Sequence, residues 1–236
     1  MRLLSVDWDY FFPIPKEDDE RSLLYDWGHR EGWKFLMDGV WQIRAEAFLR
    51  SGFELPSTDG KEIGFWNRFK FNTGTKLYIA DSHTFIYDAN VRRNIRSIVN
   101  FDAHHDAYQR PADCLDYGKV ECQNWASFLR IEKIKVTWVK PNWHQRTDTP
   151  KYRMEILRDE GQNFDEPFDR IYICRSGAWT PSWVEDKFWK FVGDCPIQPV
   201  IEVRPIEKRI YDAVEVATAV QVTKDFYNNF IRGKGK

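Results

Sequence analysis

The chain has 236 residues, with 35 Lys+Arg against 36 Asp+Glu, a formal net charge of −1 and a mean hydropathy of −0.61. That length suffices to bury about 70% of the unfolded surface without disulfide staples, and the balanced charge argues against electrostatic capture of nucleic acid. No window nears the roughly 18 apolar residues of a membrane span, and Asp7 and Asp9 break the apolar run that a signal peptide needs. A cytoplasmic protein acting away from membranes and nucleic acid is expected.

The opening RLLSVDWDYFF reads as a buried strand running into a loop, and residues 16–32 as a charged surface excursion. Residues 33–51 place Phe35, Leu36, Val40, Ile43 and Ala47 near helical spacing, with Gly52 just past the end. Short strands are expected at 76–80 and 97–101, a short helix at 122–131 and strands at 134–139 and 169–176. The turn residues Gly177 and Pro181 precede a helix near 182–192, then a strand at 199–203 and a closing helix from about 206 to 231. Short apolar strands alternating with helices indicate an α/β fold with a mainly parallel sheet, and the absence of a linker makes one domain, 1–236, the expected organisation. No strand is followed by a Gly-rich phosphate loop, so a dinucleotide or P-loop nucleotide is not indicated.

Cys114, Cys122, Cys174 and Cys195 form no C-x-x-C pair, which points to buried free thiols and not to a disulfide framework or a zinc ribbon. Aromatic residues are 16% of the chain, with 11 Trp. Tryptophan is seldom fully buried, so some of these rings are expected to rim a cleft.

Ligands of parallel sheets bind beyond the carboxyl ends of the strands. Three such ends carry acids and histidines: Asp7 and Asp9 in VDWDYF, Asp81 and His83 in IADSH, and Asp102, His104, His105 and Asp106 in NFDAHHD. Residues two apart on extended chain share a face, so Asp7 can converge with Asp9, and Asp102 with His104 and Asp106. Carboxylates crowded together repel unless cations separate them. Four carboxylates with two imidazoles favour manganese over a thiolate-selected metal. His105 has the opposite parity to His104 and is expected behind the ligands or at the surface; His29 and His144 sit in polar stretches and are expected to be solvated.

VNFDAHHD resembles the D-A-H-x-D segment of the ureohydrolases, the arginases and agmatinases. The resemblance implies a three-layer α/β/α domain and two Mn²⁺ ions held by Asp102, His104, Asp106, His83, Asp7 and Asp9. PVIEVRP, followed by AVEVATAVQVTKDF, is similar to the family's terminal strand and helix, which nominates Glu202 to hold the guanidinium group. CQNWASFL resembles the helix that follows the metal segment, with Cys122 where the family has a proton-shuttling histidine. The family's D-x-D strand lies late in the chain, whereas here it opens it, so the N-terminus is rewired or permuted. The late position is filled by IYICRSGAWTPSW, whose strand end has no acid.

The N-terminal VDWDYF, the D-S-H and the pair Asn124-Trp125 are similar to the divergent branch that includes peptide arginases of ribosomal-peptide maturation. That likeness implies hydrolysis of a peptidyl arginine to ornithine in a precursor peptide, with release of urea. Asp106 would move the proton and Asp102 and Asp7 would bridge the ions. AYQRPADCLDYGKVE lacks the Thr/Ser/Asn-rich run with which arginases read a free α-carboxylate. Trp8, Tyr10, Asn124, Trp125 and Trp179 are the expected substrate-binding residues near the strand ends. Competing classes are a small-molecule ureohydrolase acting on free arginine or agmatine, a catalytically inactive arginase-like binding protein, and a zinc amidohydrolase of histone-deacetylase type.

Overall fold

A computed structural model of the chain describes residues 1–25, 34–144 and 149–227. The chain opens with β1 (Arg2–Asp7), α1 (Asp18–Tyr25), α2 (Lys34–Arg50) and the long β2 (Phe69–Ala80). Next come α3 (Ala89–Arg92), β3 (Ser97–Phe101), α4 (Pro111–Tyr117), α5 (Trp125–Ile131) and β4 (Lys135–Lys140). The described part ends with β5 (Glu155–Arg158), β6 (Phe164–Cys174), α6 (Glu185–Gly193), β7 (Val200–Glu202) and α7 (Ala213–Phe226). No helix among the described residues is long and apolar enough to cross a membrane.

The chain divides into two compact units. The first comprises Met1–Pro13, Thr58–Ser176 and Asp186–Glu207 and carries a seven-stranded sheet in the order β5-β4-β3-β1-β6-β2-β7. Every strand pairing is parallel, as the alternation of apolar strands and helices implies. Strands of such sheets are covered on both faces, and β1 is accordingly buried from Leu3 to Asp7. Leu4, Val6, Val99, Phe101, Ile171 and Ile173 pack on one face against Phe188 and Phe191 of α6. Leu3, Ile98, Tyr78 and Tyr172 pack on the other against Val91 of α3 and Trp125 and Leu129 of α5. This gives helix, sheet and helix in three layers.

The period-2 pleat then decides which side chains meet. Ser5 and Asp7 share the α5 face with Leu3, as do Asn100 and Asp102 with Ile98, and Cys174 with Tyr172.

The second unit comprises Ile14–Ser57, Gly177–Glu185 and Lys208–Lys236. Leu24, Val40, Trp41 and Phe48 form one cluster in it, and Ala45, Val216 and Val220 bring α2 against α7. The Arg44 guanidinium lies 4.3 Å from the Trp41 ring centroid, and burial lowers its pKa to about 10. Arg209 is buried too, donating to Glu185 at 2.8 Å and to the carbonyls of Gly177 and Thr180 at 2.8 and 2.6 Å.

Several sequence expectations shift. The charged stretch at 16–32 contains α1, with acids in its first turn where they complement the helix dipole. Ile43 is 56% exposed, and the buried face of α2 is Val40, Trp41, Arg44, Ala45 and Phe48; the Phe35 and Leu36 side chains lie outside the described residues. The closing helix begins at Ala213, seven residues later than expected, where Asp212 caps the Val214 and Glu215 N–H groups. β2 starts seven residues earlier than its apolar run because the mixed stretch FKFNTGT pairs Phe69 and Phe71 with Phe164 and Phe168. β5 and α4 were not expected; α4 has Pro111 near its start and Gly118 at φ +68° just past its end. His144 is buried with its ring edge-on to Trp138, not solvated, while His29 lies outside the described residues.

Candidate metal centre

Because all seven strands are parallel, their carboxyl ends lie along one edge of the sheet. There the sequence Asp102 (after β3), Asp7 (β1), Cys174 (β6), His83 (after β2) and Glu202 (β7) follows the strand order. The local folds are side-chain-capped turns. Asp7 Oδ1 accepts from the Asp9 N–H at 3.0 Å, which starts a tight helical turn over Trp8–Phe11. The Ser82 hydroxyl caps the turn His83–Tyr87 through the Thr84 N–H. After β3, Asp9 Oδ1 accepts from the Ala103 N–H at 3.2 Å and Asp102 Oδ1 from the His104 N–H at 2.6 Å. Asp106 adopts φ +49°, the left-handed conformation that aspartate tolerates better than most residues.

The six expected ligands converge. His83 Nδ1 lies 3.0 Å from Asp7 Oδ2, 3.1 Å from Asp102 Oδ2 and 3.3 Å from Asp106 Oδ2. His104 Nδ1 lies 2.8 Å from Asp9 Oδ2 and 3.8 Å from Asp102 Oδ1. Donor atoms of His83, Asp102 and Asp106 fall within 4.8 Å of one another, as do those of Asp9, Asp102 and His104, and those of Asp7, His83 and Cys174. Asp102 belongs to two groups and links them.

Burial and charge show why this arrangement suits a cation. Burial first, then the charges of Asp9 and Asp102, push Asp7 up to about 7. Burial, then Asp106 and Asp9, do the same to Asp102. Asp106 is raised by burial. His104 is held up to about 10 because Asp9, Asp102 and Asp106 outweigh its own burial. For His83 burial again acts downward, and the carboxylates of Asp102, Asp106 and Asp7 prevail to hold it well above the usual range. Asp9 alone goes down, its burial outweighed by His104. The decisive atom is His83 Nδ1, which is buried among three carboxylate oxygens and makes no hydrogen bond of acceptable geometry with any of them. A buried polar atom without a hydrogen bond is costly, and a divalent cation bound by the nitrogen and the oxygens together removes that cost. The buried Asp/His groups fit a metal ion.

Residues behind the ligands orient them, as in many metal sites. Ser5 Oγ meets His83 Nε2 at 2.8 Å, which leaves Nδ1 as the atom facing the carboxylates. Asn100 donates to Asp102 Oδ2 at 3.0 Å, Trp125 Nε1 to Asp106 Oδ2 at 2.6 Å and Ser176 Oγ to Asp7 Oδ2 at 3.2 Å. The His83 ring packs between Trp125 and Tyr172, with centroids at 4.7 and 5.7 Å. Sequence reasoning missed Ser5, Asn100, Cys174 and Ser176. A signal existed for two of them: Ser5 and Asn100 are polar residues inside apolar strands, each two positions before a ligand and hence on its face.

The other expected site residues are elsewhere occupied. Trp8 is fully buried and packs on Phe11, Phe188 and Phe191. Tyr10 is buried with its hydroxyl on Asp159, which Arg68 also grips with two hydrogen bonds. Trp125 is buried with its N–H on Asp106. The anticipated aromatic rim is therefore not built from these three rings, which serve the core and the acids. Asn124 is buried as well, its Oδ1 accepting from the Glu121 N–H and its Nδ2 donating to Gln109. Trp179 lies in the second unit and is partly buried. Cys122 is partly buried and in no disulfide. Asp81 turns to Arg175 Nε at 2.7 Å, and His105, fully buried, accepts the Ala107 N–H at Nδ1. Glu202 is exposed at its strand end and accepts the Ile206 N–H at 3.2 Å.

Comparison of the chain with protein-family models, with curated proteins and with solved structures found no match.

Proposed function

We propose that the chain is a divalent-metal hydrolase with arginase-type chemistry, releasing urea from a guanidinium group and most suited to an arginine side chain within a peptide. The observation that carries this reading is the unbonded His83 Nδ1 ringed by Asp7, Asp102 and Asp106. Two Mn²⁺ ions would be held by His83, Asp106, Asp102 and Asp7 on one side and by His104, Asp9 and Asp102 on the other. When bound, they would supply Lewis acidity and a water-derived nucleophile at neutral pH.

The chain's own residues have separable tasks in this reading. Glu202, exposed at the same sheet edge, would pair with the planar donors of the guanidinium and hold its carbon toward the metal centre. Asp106, fixed by Trp125 through Oδ2, keeps Oδ1 for carrying a proton to the departing amine. Water adds to the guanidinium carbon, the C–N bond to the arginine side chain breaks, and urea and an ornithine amine result. The preference for a peptide rests on the segment after the metal motif. Cys114, Asn124 and Ser127 there each donate to Gln109, so these polar groups serve the fold, and the segment has no Thr/Ser/Asn run to read a free α-carboxylate.

The test is to load the protein with Mn²⁺, incubate it with free arginine, agmatine and an arginine-containing peptide, and assay urea and ornithine. Urea with an ornithine-bearing peptide is the expected result. Faster turnover of free arginine or agmatine would make it a small-molecule ureohydrolase. No urea from any guanidine would remove arginase-type chemistry and favour a binding protein.

A further inference from the structure

We propose that Cys174 is a ligand of the inner metal position, making it a mixed Asp7–His83–Cys174 site for a thiophilic divalent ion such as zinc or cobalt. This rests on the metal centre described above but concerns which ion the inner position prefers, something a carboxylate-and-imidazole set does not address. Cys174 ends β6 at the one strand terminus of the centre that lacks an acid, in register with Asp7 on β1 and Ala80 on β2. It lies on the α5 face of the sheet, as Asp7 does, and is fully buried.

One donor atom from each of Asp7, His83 and Cys174 lies within 4.8 Å of the other two. A thiol near acids is not by itself a site. What makes it one is His83, 1% exposed, whose Nδ1 lies 3.0 Å from the Asp7 carboxylate of this group and makes no hydrogen bond. The Cys174 thiol meets the Asp81 carbonyl at 3.7 Å, a weak sulfur contact.

The two positions therefore differ in kind. Asp9, Asp102 and His104 offer only oxygen and nitrogen, the set that suits Mn²⁺. Adding sulfur to the other group moves its preference toward zinc and cobalt, which thiolate binds far better than it binds manganese. The remaining thiols, Cys114, Cys122 and Cys195, take part in none of the metal-compatible groups among the described residues. A centre with one hard and one softer position would load two different ions, zinc or cobalt at Asp7, His83 and Cys174 and manganese at Asp9, Asp102 and His104, in place of the manganese pair of the reading above.

The experiment uses the full chain loaded with Co²⁺, read by bound-metal stoichiometry and by the near-ultraviolet thiolate-to-cobalt charge-transfer band. The band is expected in the wild type, retained when Cys114, Cys122 and Cys195 are all replaced by serine, and lost in Cys174→Ser. X-ray absorption on the zinc-loaded wild type needs no variant and should show a sulfur neighbour at about 2.3 Å. Cobalt or zinc bound without sulfur, or a band that survives Cys174→Ser, overturns the role of Cys174 and leaves the metal centre standing. No bound ion at all overturns both.

Discussion

Ser5 and His83 are 78 residues apart in the chain, and the Ser5 hydroxyl meets the His83 ring at 2.8 Å, on Nε2. A strand residue in the middle of β1 thus selects which nitrogen of a loop histidine faces Asp7, Asp102 and Asp106. Ser5→Ala removes that constraint while keeping the strand. We expect metal affinity to fall by about 10–100-fold, the usual effect of losing an orienting partner behind a ligand, with the metal-free melting temperature little changed. Isothermal titration with Mn²⁺ or Zn²⁺ checks this, and an affinity equal to that of wild type would show that the His83 ring is fixed by Trp125 and Tyr172 alone.

The acids of the centre set a pH dependence of the metal-free fold. Asp7 and Asp102 sit at about 7 in the folded chain, above the ordinary 3.8. A raised pKa means that the folded state holds the proton more tightly, so their contribution is complete below about pH 4 and is lost as pH rises through 7. His104, at about 10, extends the decline to higher pH, because its contribution is present below 6.5 and lost through its folded value. Asp9, shifted down, acts oppositely and only at acid pH. Metal-stripped protein should therefore melt at lower temperature as pH goes from about 5 to about 8, and the stabilisation added by Mn²⁺ should grow over the same range. Thermal melts with and without metal across that range decide it; a metal increment independent of pH would mean that the ions do not displace these protons.

The sheet and its ligand-bearing ends were legible because a fully covered parallel strand writes itself as a mostly apolar run, and RLLSVD, SIVNF and IYIC each end where polarity returns. Residue parity then paired Asp7 with Asp9 and Asp102 with His104 and Asp106. The strand order was not legible, since nothing in RLLSVD states that β1 inserts between β3 and β6. That placement is what brings an N-terminal D-x-D to the later histidines. The aromatics misled for a different reason. Composition counts rings without saying which are held by hydrogen bonds, and Tyr10, Trp125 and Trp138 are buried with their polar ends on Asp159, Asp106 and the Asp102 carbonyl. Cys174 was invisible as a ligand because a single cysteine in an apolar strand reads as core; only its register with Asp7 singles it out.

A stability prediction concerns the second unit. Arg209 and Glu185 are almost wholly buried and 2.8 Å apart. Glu185→Ala takes away this buried counter-charge, while the carbonyls of Gly177, Thr180 and Pro181 remain on the guanidinium. Removing one partner of a buried pair costs about 3–5 kcal/mol, so the variant should unfold at markedly lower denaturant concentration. Denaturant melts measure it, and a loss below about 1 kcal/mol would place the pair in the class of exposed ion pairs.

Glu202 separates catalysis from structure. Its carboxylate accepts the Ile206 N–H at 3.2 Å, which any acceptor of similar shape can do, whereas pairing with a guanidinium needs the charge. Glu202→Gln keeps the acceptor and removes the charge. Glu202 is exposed in the free chain, where such a pair is worth about 1 kcal/mol, and more once a bound peptide shields it, so a loss of about 10-fold or more in rate is expected. Urea release from an arginine peptide should fall by that factor in Glu202→Gln, with bound metal and melting temperature equal to wild type, since Glu202 belongs to none of the metal-compatible groups among the described residues. Glu202→Ala should lose the same activity and in addition some stability, because the Ile206 N–H then has no side-chain acceptor. Full activity in Glu202→Gln would confine Glu202 to holding the segment after β7, and the guanidinium would need another carboxylate.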